Sequence, residues 1–277
     1  MLNKPFPEVL KQFSIDYLNE YSKLKRLFYQ EPAYTPQYRY PSMNISLYSC
    51  CADNFISYPY RRTILTLAEF NSSFGFDYHK KDGEDLEDLI AFCEYVYNLL
   101  FHIQIVEEAK GMKSFVLNHI ESLCSEMHCS LNQDEDGVFF IVKNDALIES
   151  LCSVVDEEIS IQILKYTHQS LKGELEKKSQ ILTAMAKELE GIRDDNKFHY
   201  SKLFFSYANN CHVRHYNLKG GKKKGFVSKL NNTELEELYD KMFRVGIIAF
   251  AEYYNQESIR YLIENKDIIN RKEDGAV

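Results

Sequence analysis

The placement of proline constrains this chain more than any other feature. All six prolines (Pro5, Pro7, Pro32, Pro36, Pro41 and Pro59) precede residue 60, and none follows in a chain of 277 residues. Proline removes a backbone donor and clashes with the preceding turn, so a long stretch without it permits long helices. The first 60 residues are expected to be irregular, with a short helix over 8–28 and then an extended segment. That segment carries Tyr34, Tyr38, Tyr40, Tyr48, Tyr58 and Tyr60. Such rings can stack nucleobases, but an apolar ring with a polar tip more commonly pins a wandering segment to the body of the protein.

Past residue 60 the period is helical. Leu86, Leu89, Ile90, Cys93, Val96, Tyr97, Leu100 and Ile103 recur at three and four, which predicts one apolar face. Met112, Phe115, Val116, His119, Ile120 and Leu123 repeat the pattern after Gly111, with His119 expected in the core. The period changes at 127–142, where Asp134-Glu135-Asp136-Gly137 signals a turn and Val138–Val142 is rich in β formers. A small β-hairpin is predicted, with its first strand at Met127–Leu131. The turn lacks the spacing and the downstream glutamate of a calcium loop.

Helical pattern resumes beyond the hairpin. Asn144 is a candidate cap for a helix through Val155, and Ser170 for the next. Leu171, Leu175, Lys178, Leu182, Met185, Leu189 and Ile192 follow the spacing of a packed seam, with Lys178 its one polar member. Thr233-x-x-Glu236 reads as a capping box opening a helix through Tyr253, whose buried face would be Leu235, Leu238, Met242, Val245 and Ala249. The fold class predicted is mainly α, in three parts: a helical N-terminal region over 1–125, the hairpin over 126–143 and a helical bundle over 144–277. The seam and the 235–249 face together look too apolar for one bundle to bury, which predicts a homodimer or a complex with a protein partner.

Composition narrows the function classes. A content of 45% hydrophobic residues and 14% aromatics supports a real core. No apolar run is long enough for a membrane span, and the first residues have no apolar leader core, so a cytoplasmic protein is expected. Seven cysteines without regular spacing argue against a disulfide scaffold or zinc ribbon and fit a reducing compartment. A net charge of −8 argues against a protein that coats nucleic acid with its whole surface.

That acidity is unevenly distributed. Between Asn196 and Thr233 there is no Asp or Glu, while Lys197, Lys202, Arg214, Lys219, Lys222, Lys223, Lys224 and Lys229 all fall there. The window is therefore +8 in a chain of −8, and the remaining residues carry −16. His199, His212 and His215 lie in the same window. A basic, histidine-bearing island in an acidic protein suits RNA backbone or a nucleotide phosphate. Within it, Asn209-Asn210-Cys211-His212-Val213-Arg214-His215-Tyr216-Asn217 stands at the expected end of a helix carrying Leu203, Phe204 and Tyr207. Arginine offers a permanently charged planar fork for phosphate oxygens, histidine moves a proton near neutral pH, and Asn210 can orient either.

Other chemistries fit less well. Gly220 and Gly225 have the glycine spacing of a phosphate-binding P-loop, but Phe226-Val227 stand where it needs Lys-Ser/Thr. His199, Cys211, His212 and His215 match no zinc spacing, so no metal is expected. Cys211 and His212 as helix neighbours would point about 100° apart, which disfavours a nucleophile pair.

Arg193-Asp194-Asp195-Asn196-Lys197-Phe198-His199 fits a pattern of Arg, a polar residue, and His after four to six positions. Over roughly 144–264 the chain resembles the HEPN superfamily, helical domains of abortive-infection proteins, toxins and other antiviral ribonucleases. The 210–217 stretch also looks like the Arg-His-x-Asn element of defence-type proteins. The resemblance implies a composite, metal-independent ribonuclease site without a cofactor, formed by Arg and His across a dimer. Arg193/His199 and Arg214/His215 are the two pairs it offers, although Arg214 and His215 are adjacent rather than spaced.

The function expected is a metal-independent endoribonuclease of the phage-defence or toxin kind. Arg214 would stabilise the charged phosphorane, with His215 or His212 carrying protons, while Lys219, Lys222, Lys223 and Lys224 hold the strand. The alternative is a non-catalytic interaction or nucleic-acid-binding subunit of a multi-protein defence complex.

Overall fold

The computed structural model describes residues 15–34, 45–191, 199–211, 213, 229–256 and 261–262. The chain divides into two units, Met1–Lys143 and Asn144–Val277. The fold is mainly helical, with ten α-helices and two small two-stranded antiparallel sheets among the described residues. No helix there is long and apolar enough to cross a membrane.

In the first unit, α1 (Tyr17–Tyr29) is followed by strands β1 (Pro32–Tyr34) and β2 (Ile45–Ser46), α2 (Leu47–Asp53) and α3 (Leu67–Phe74). Then come α4 (Leu86–His102), α5 (Lys110–Glu126) and the hairpin of β3 (Cys129–Gln133) and β4 (Phe139–Lys143). Asp16 caps α1, accepting from Asn19 N at 3.1 Å; residues 8–14 of the predicted helix lie outside the described residues. Of the tyrosine-rich segment, Tyr48, Tyr58 and Tyr60 pack into or against the core, as pinning residues would. Tyr38 and Tyr40 lie outside the described residues.

Helix α4 is buried on more than the one predicted face. Phe92, Tyr95 and Leu99 are covered as fully as Leu89, Cys93, Val96 and Leu100. A helix apolar all round is a central one, and α1, α2, α5 and β4 all pack on it. The apolar stripe of α5 is rotated from the predicted one: Val116, Ile120, Leu123 and Cys124 are buried, whereas Phe115 is exposed and His119 only half-covered.

The hairpin pairs Cys129 with Lys143 through to Gln133 with Phe139. Its first strand starts two residues later than predicted, because α5 runs to Glu126 and the chain must turn through Met127 and His128, the latter at φ 53°. Asp134 Oδ1 closes the loop, accepting from Asp136 N at 3.1 Å and Val138 N at 2.8 Å. The outer edge of β4 is not left bare. Asn98 on α4 donates to Phe139 O and accepts from Phe139 N, both at 2.8 Å, and Glu94 accepts from Ile141 N.

The second unit contains α6 (Ala146–Cys152), α7 (Glu157–Tyr166), α8 (Leu175–Gly191), α9 (His199–Ala208) and α10 (Asn232–Tyr254). Three predicted caps are displaced. Asp145, not Asn144, caps α6. Ser170 sits within a 3-10 turn, Gln169–Leu171, ahead of α8. The capping box of α10 is Asn231 with Glu234, two residues before the predicted pair. Glu236 is instead engaged across the bundle by Gly173 N and Lys178 Nζ.

Of the predicted seam, Lys178, Leu182, Met185 and Leu189 on α8 are buried, Leu175 is half-buried, Leu171 is buried in the 3-10 turn ahead of the helix, and Ile192 lies outside the described residues. On α10, Leu235, Met242 and Ala249 are buried together with Tyr239, Phe243, Ile247 and Phe250. Gly246 permits this close packing, since a Cβ there would fall 2.8 Å from Met185 Cε and 3.1 Å from Phe204 Cε2. The unit thus covers both apolar faces itself. Helix α9 packs on both α8 and α10, which also touch each other, and its Phe204 and Phe205 belong to the same core.

Candidate functional site

The acid-free window is tied to the helical bundle at both of its described ends. Helix α9 buries Ser201, Phe204, Phe205 and Ala208. After it the chain turns through Asn209–Cys211, where Cys211 N donates to Tyr207 O at 2.8 Å. Asn210 Nδ2 donates to Ser206 O at 2.7 Å, so this amide closes the last turn of α9. Cys211 and Val213 are 1% and 2% exposed. Tyr239 OH donates to Cys211 O at 3.3 Å, and Thr183 Oγ1 donates to Val213 O. At the far end Lys229 and Leu230 lead into Asn231, whose side chain accepts from Glu234 N while Glu234 accepts from Asn231 N.

Most candidate residues lie outside the described ones. Arg193, His212, Arg214, His215, Lys219, Lys222, Lys223 and Lys224 are all there, and of His199 only the helical backbone is described. Neither Arg/His pair is therefore placed. What is placed is the neighbour of Arg214: Val213 is held by α8 through its carbonyl and by burial of its side chain. Burial raises the pKa of the Cys211 thiol, keeping it protonated and poorly nucleophilic. Among the described residues no three His, Cys, Asp or Glu side chains gather as a metal site would require.

On the outer side of α9, Tyr200, Leu203 and Tyr207 are each about two-fifths exposed. They recur at three and four, so they share one face of the helix that leads into the basic stretch.

Sequence reasoning missed the environment of Lys178. Lys178 is 6% exposed, and its ammonium lies 2.7 Å from Asp240 Oδ1 and 2.8 Å from Glu236 Oε1. Tyr166 OH donates to the same Asp240 oxygen at 3.1 Å, and its ring lies flat on Phe243, centroids 4.0 Å apart. Burial alone would lower the pKa of Lys178, but the bonds to Asp240 and Glu236 outweigh it and hold it above its ordinary value. Glu236 is held below the ordinary carboxylate range by the Gly173 N–H and then by Lys178. The available signal was a pair of carboxylates four apart on α10, one helical turn, opposite the one lysine in the α8 seam.

Comparison of the chain with protein-family models, with curated proteins and with solved structures finds no match.

Proposed function

We propose that the second unit binds RNA through the acid-free window and cleaves it without a metal. The observation that carries this reading is the charge segregation over 196–233 in a segment whose described ends are fixed by buried hydrogen bonds and a capping box. A polyanion needs clustered cations, and catalysis on it needs the reactive ones to start from a rigid point. Val213, which is such a point, directly precedes Arg214 in sequence.

In the reaction the ribose 2′-oxygen attacks the adjacent phosphorus while its proton passes to a histidine, His215 or His212. The bond from phosphorus to the 5′-oxygen breaks, and that oxygen takes a proton from a protonated histidine. Arg214 offsets the extra charge of the phosphorane. Asn210 orients the histidine, Arg193 and His199 form the competing pair, and Lys219 and Lys222–Lys224 hold the strand.

Cleavage of single-stranded RNA by the purified chain in excess EDTA tests this. Arg214→Ala should abolish it without moving the melting temperature, and Arg193→Ala should do less. Full activity in Arg214→Ala, or its unfolding, removes Arg214 from the mechanism. A second reading, binding without cleavage, is favoured by the exposed Tyr200, Leu203 and Tyr207 face, which offers rings for base stacking on the helix that also carries Lys202. It predicts salt-dependent RNA binding with no product.

A further inference from the structure

One concave surface of the second unit is chemically organised and has no part in the ribonuclease reading. It is a cleft of about 570 Å³, within the range of roughly 300–1,000 Å³ typical of small-ligand sites. Its apolar lining comes from Leu147 and Ile148 on α6 and from Ile247 and Ile248 on α10. The rest is polar and comes from elements with few degrees of freedom. The tight turn between α7 and α8, which needs Gly173 at φ 80°, supplies Lys172, and α10 supplies Asp240 and Arg244, one helical turn apart.

The charges in this cleft are unequally satisfied. Lys178 lines it too, but its ammonium is neutralised by Glu236 and Asp240 and serves to fix Asp240 in place. The bonds to Asp240 from Lys178 and Tyr166 both end on Oδ1; Oδ2 takes no hydrogen bond among the described residues, and the side chain is 48% exposed. Lys172 and Arg244 are exposed and make no ion pair among the described residues, although Lys172 is near enough to Glu236 to help hold its carboxyl down. The second carboxylate in the lining, Asp145, is engaged in capping α6; two cations outside any ion pair, the open acceptor on Asp240 and an apolar lining together describe a small anion with a flat, donor-bearing body.

We propose that this cleft binds a nucleoside 5′-monophosphate or a close analogue. The phosphate meets Lys172 and Arg244, a sugar hydroxyl or base amino group donates to Asp240, and the base lies against the apolar lining of Leu147, Ile148, Ile247 and Ile248. None of the residues lining the cleft belongs to the acid-free window, and the proposal does not rest on cleavage of RNA.

Titration calorimetry of the full chain with AMP, GMP, CMP and UMP, with adenosine, and with inorganic phosphate tests the proposal. At least one monophosphate should bind, with nucleoside and inorganic phosphate each weaker by about tenfold or more. Lys172→Gln/Arg244→Gln should weaken the monophosphate by about tenfold and leave adenosine unchanged. Lys219→Gln/Lys222→Gln/Lys223→Gln/Lys224→Gln, which alters only the window, should leave it unchanged. The proposal is overturned by no monophosphate binding up to about 5 mM, by unchanged affinity in a folded Lys172→Gln/Arg244→Gln variant, or by loss of binding in the window variant. Inorganic phosphate binding as tightly as a nucleotide would also overturn it, by showing that the apolar lining contributes nothing.

Discussion

The two units deal with buried polarity in opposite ways. In the first, rings fill the core and polar tips are fitted in where packing allows. Phe92 touches Tyr21, Tyr29, Tyr78 and Tyr95 through ring contacts, and Tyr95 OH donates to Asn71 at 3.0 Å. Two imidazole nitrogens there, Nε2 of His102 and of His119, are buried without a hydrogen bond among the described residues. Glu20 lies 3.7 Å from the latter, beyond hydrogen-bond reach. In the second unit one full charge is buried instead, and it is satisfied by two carboxylates and a tyrosine on one of them. The first arrangement depends on shape and the second on pairing. Removing volume should damage one, and removing a partner the other.

The largest effect is expected from Phe92→Ala. That position is fully buried at the crossing of several rings, so the cavity should cost about 3–5 kcal/mol in a denaturant titration. A loss below about 1 kcal/mol would mean that the rings collapse into the gap and that shape matters less than claimed. Next is Glu236→Gln/Asp240→Asn, which strands the Lys178 ammonium and should cost about 3 kcal/mol. Lys178→Met should cost less, because the carboxylates it leaves behind reach solvent. If the lysine variant is the more damaging, pairing is not what stabilises the seam.

The smallest effect separates the units by pH. Burial, with Lys113 adding to it, pulls the His102 pKa below its ordinary 6.5 despite the Gly137 carbonyl. The unfolded chain therefore takes up the proton first, and the stability from neutral His102 is complete above 6.5 and shrinks as pH falls. Glu236 is also depressed, from an ordinary 4.5, so its contribution is complete above 4.5 and lost further into acid. Amide exchange along α4 should therefore rise between pH 6.5 and 4.5 before that along α8 does. His102→Gln should remove the early rise, and an unaltered profile in that variant would assign it elsewhere.

What the sequence made legible follows from the range of the forces involved. The α8 seam and the hairpin were readable because period and turn chemistry are local. Lys178 stood out as a polar residue in an apolar stripe, but its partners come from α10, and no local pattern pairs them. Capping was off by a residue or two because Asn231 and Thr233 both precede a glutamate by three, and only the engagement of Glu236 by Gly173 and Lys178 decides between them. Burial of α4 on all sides was hidden because periodicity reports one stripe and not what covers the opposite one. The acid-free window was legible as charge alone, while the cleft depends on four elements that only the fold brings together.

Asn98 has a consequence for the order of assembly. Its amide gives β4 the two bonds that a neighbouring antiparallel strand would give, from 41 residues away in the chain. The hairpin can zip up by itself in microseconds, yet its edge is complete only once α4 has docked. A fast local event is thereby made to wait on a slow long-range one. Until that moment the unsatisfied edge is open to any other extended segment, so the vulnerable interval in the life of this chain lies before the helix arrives.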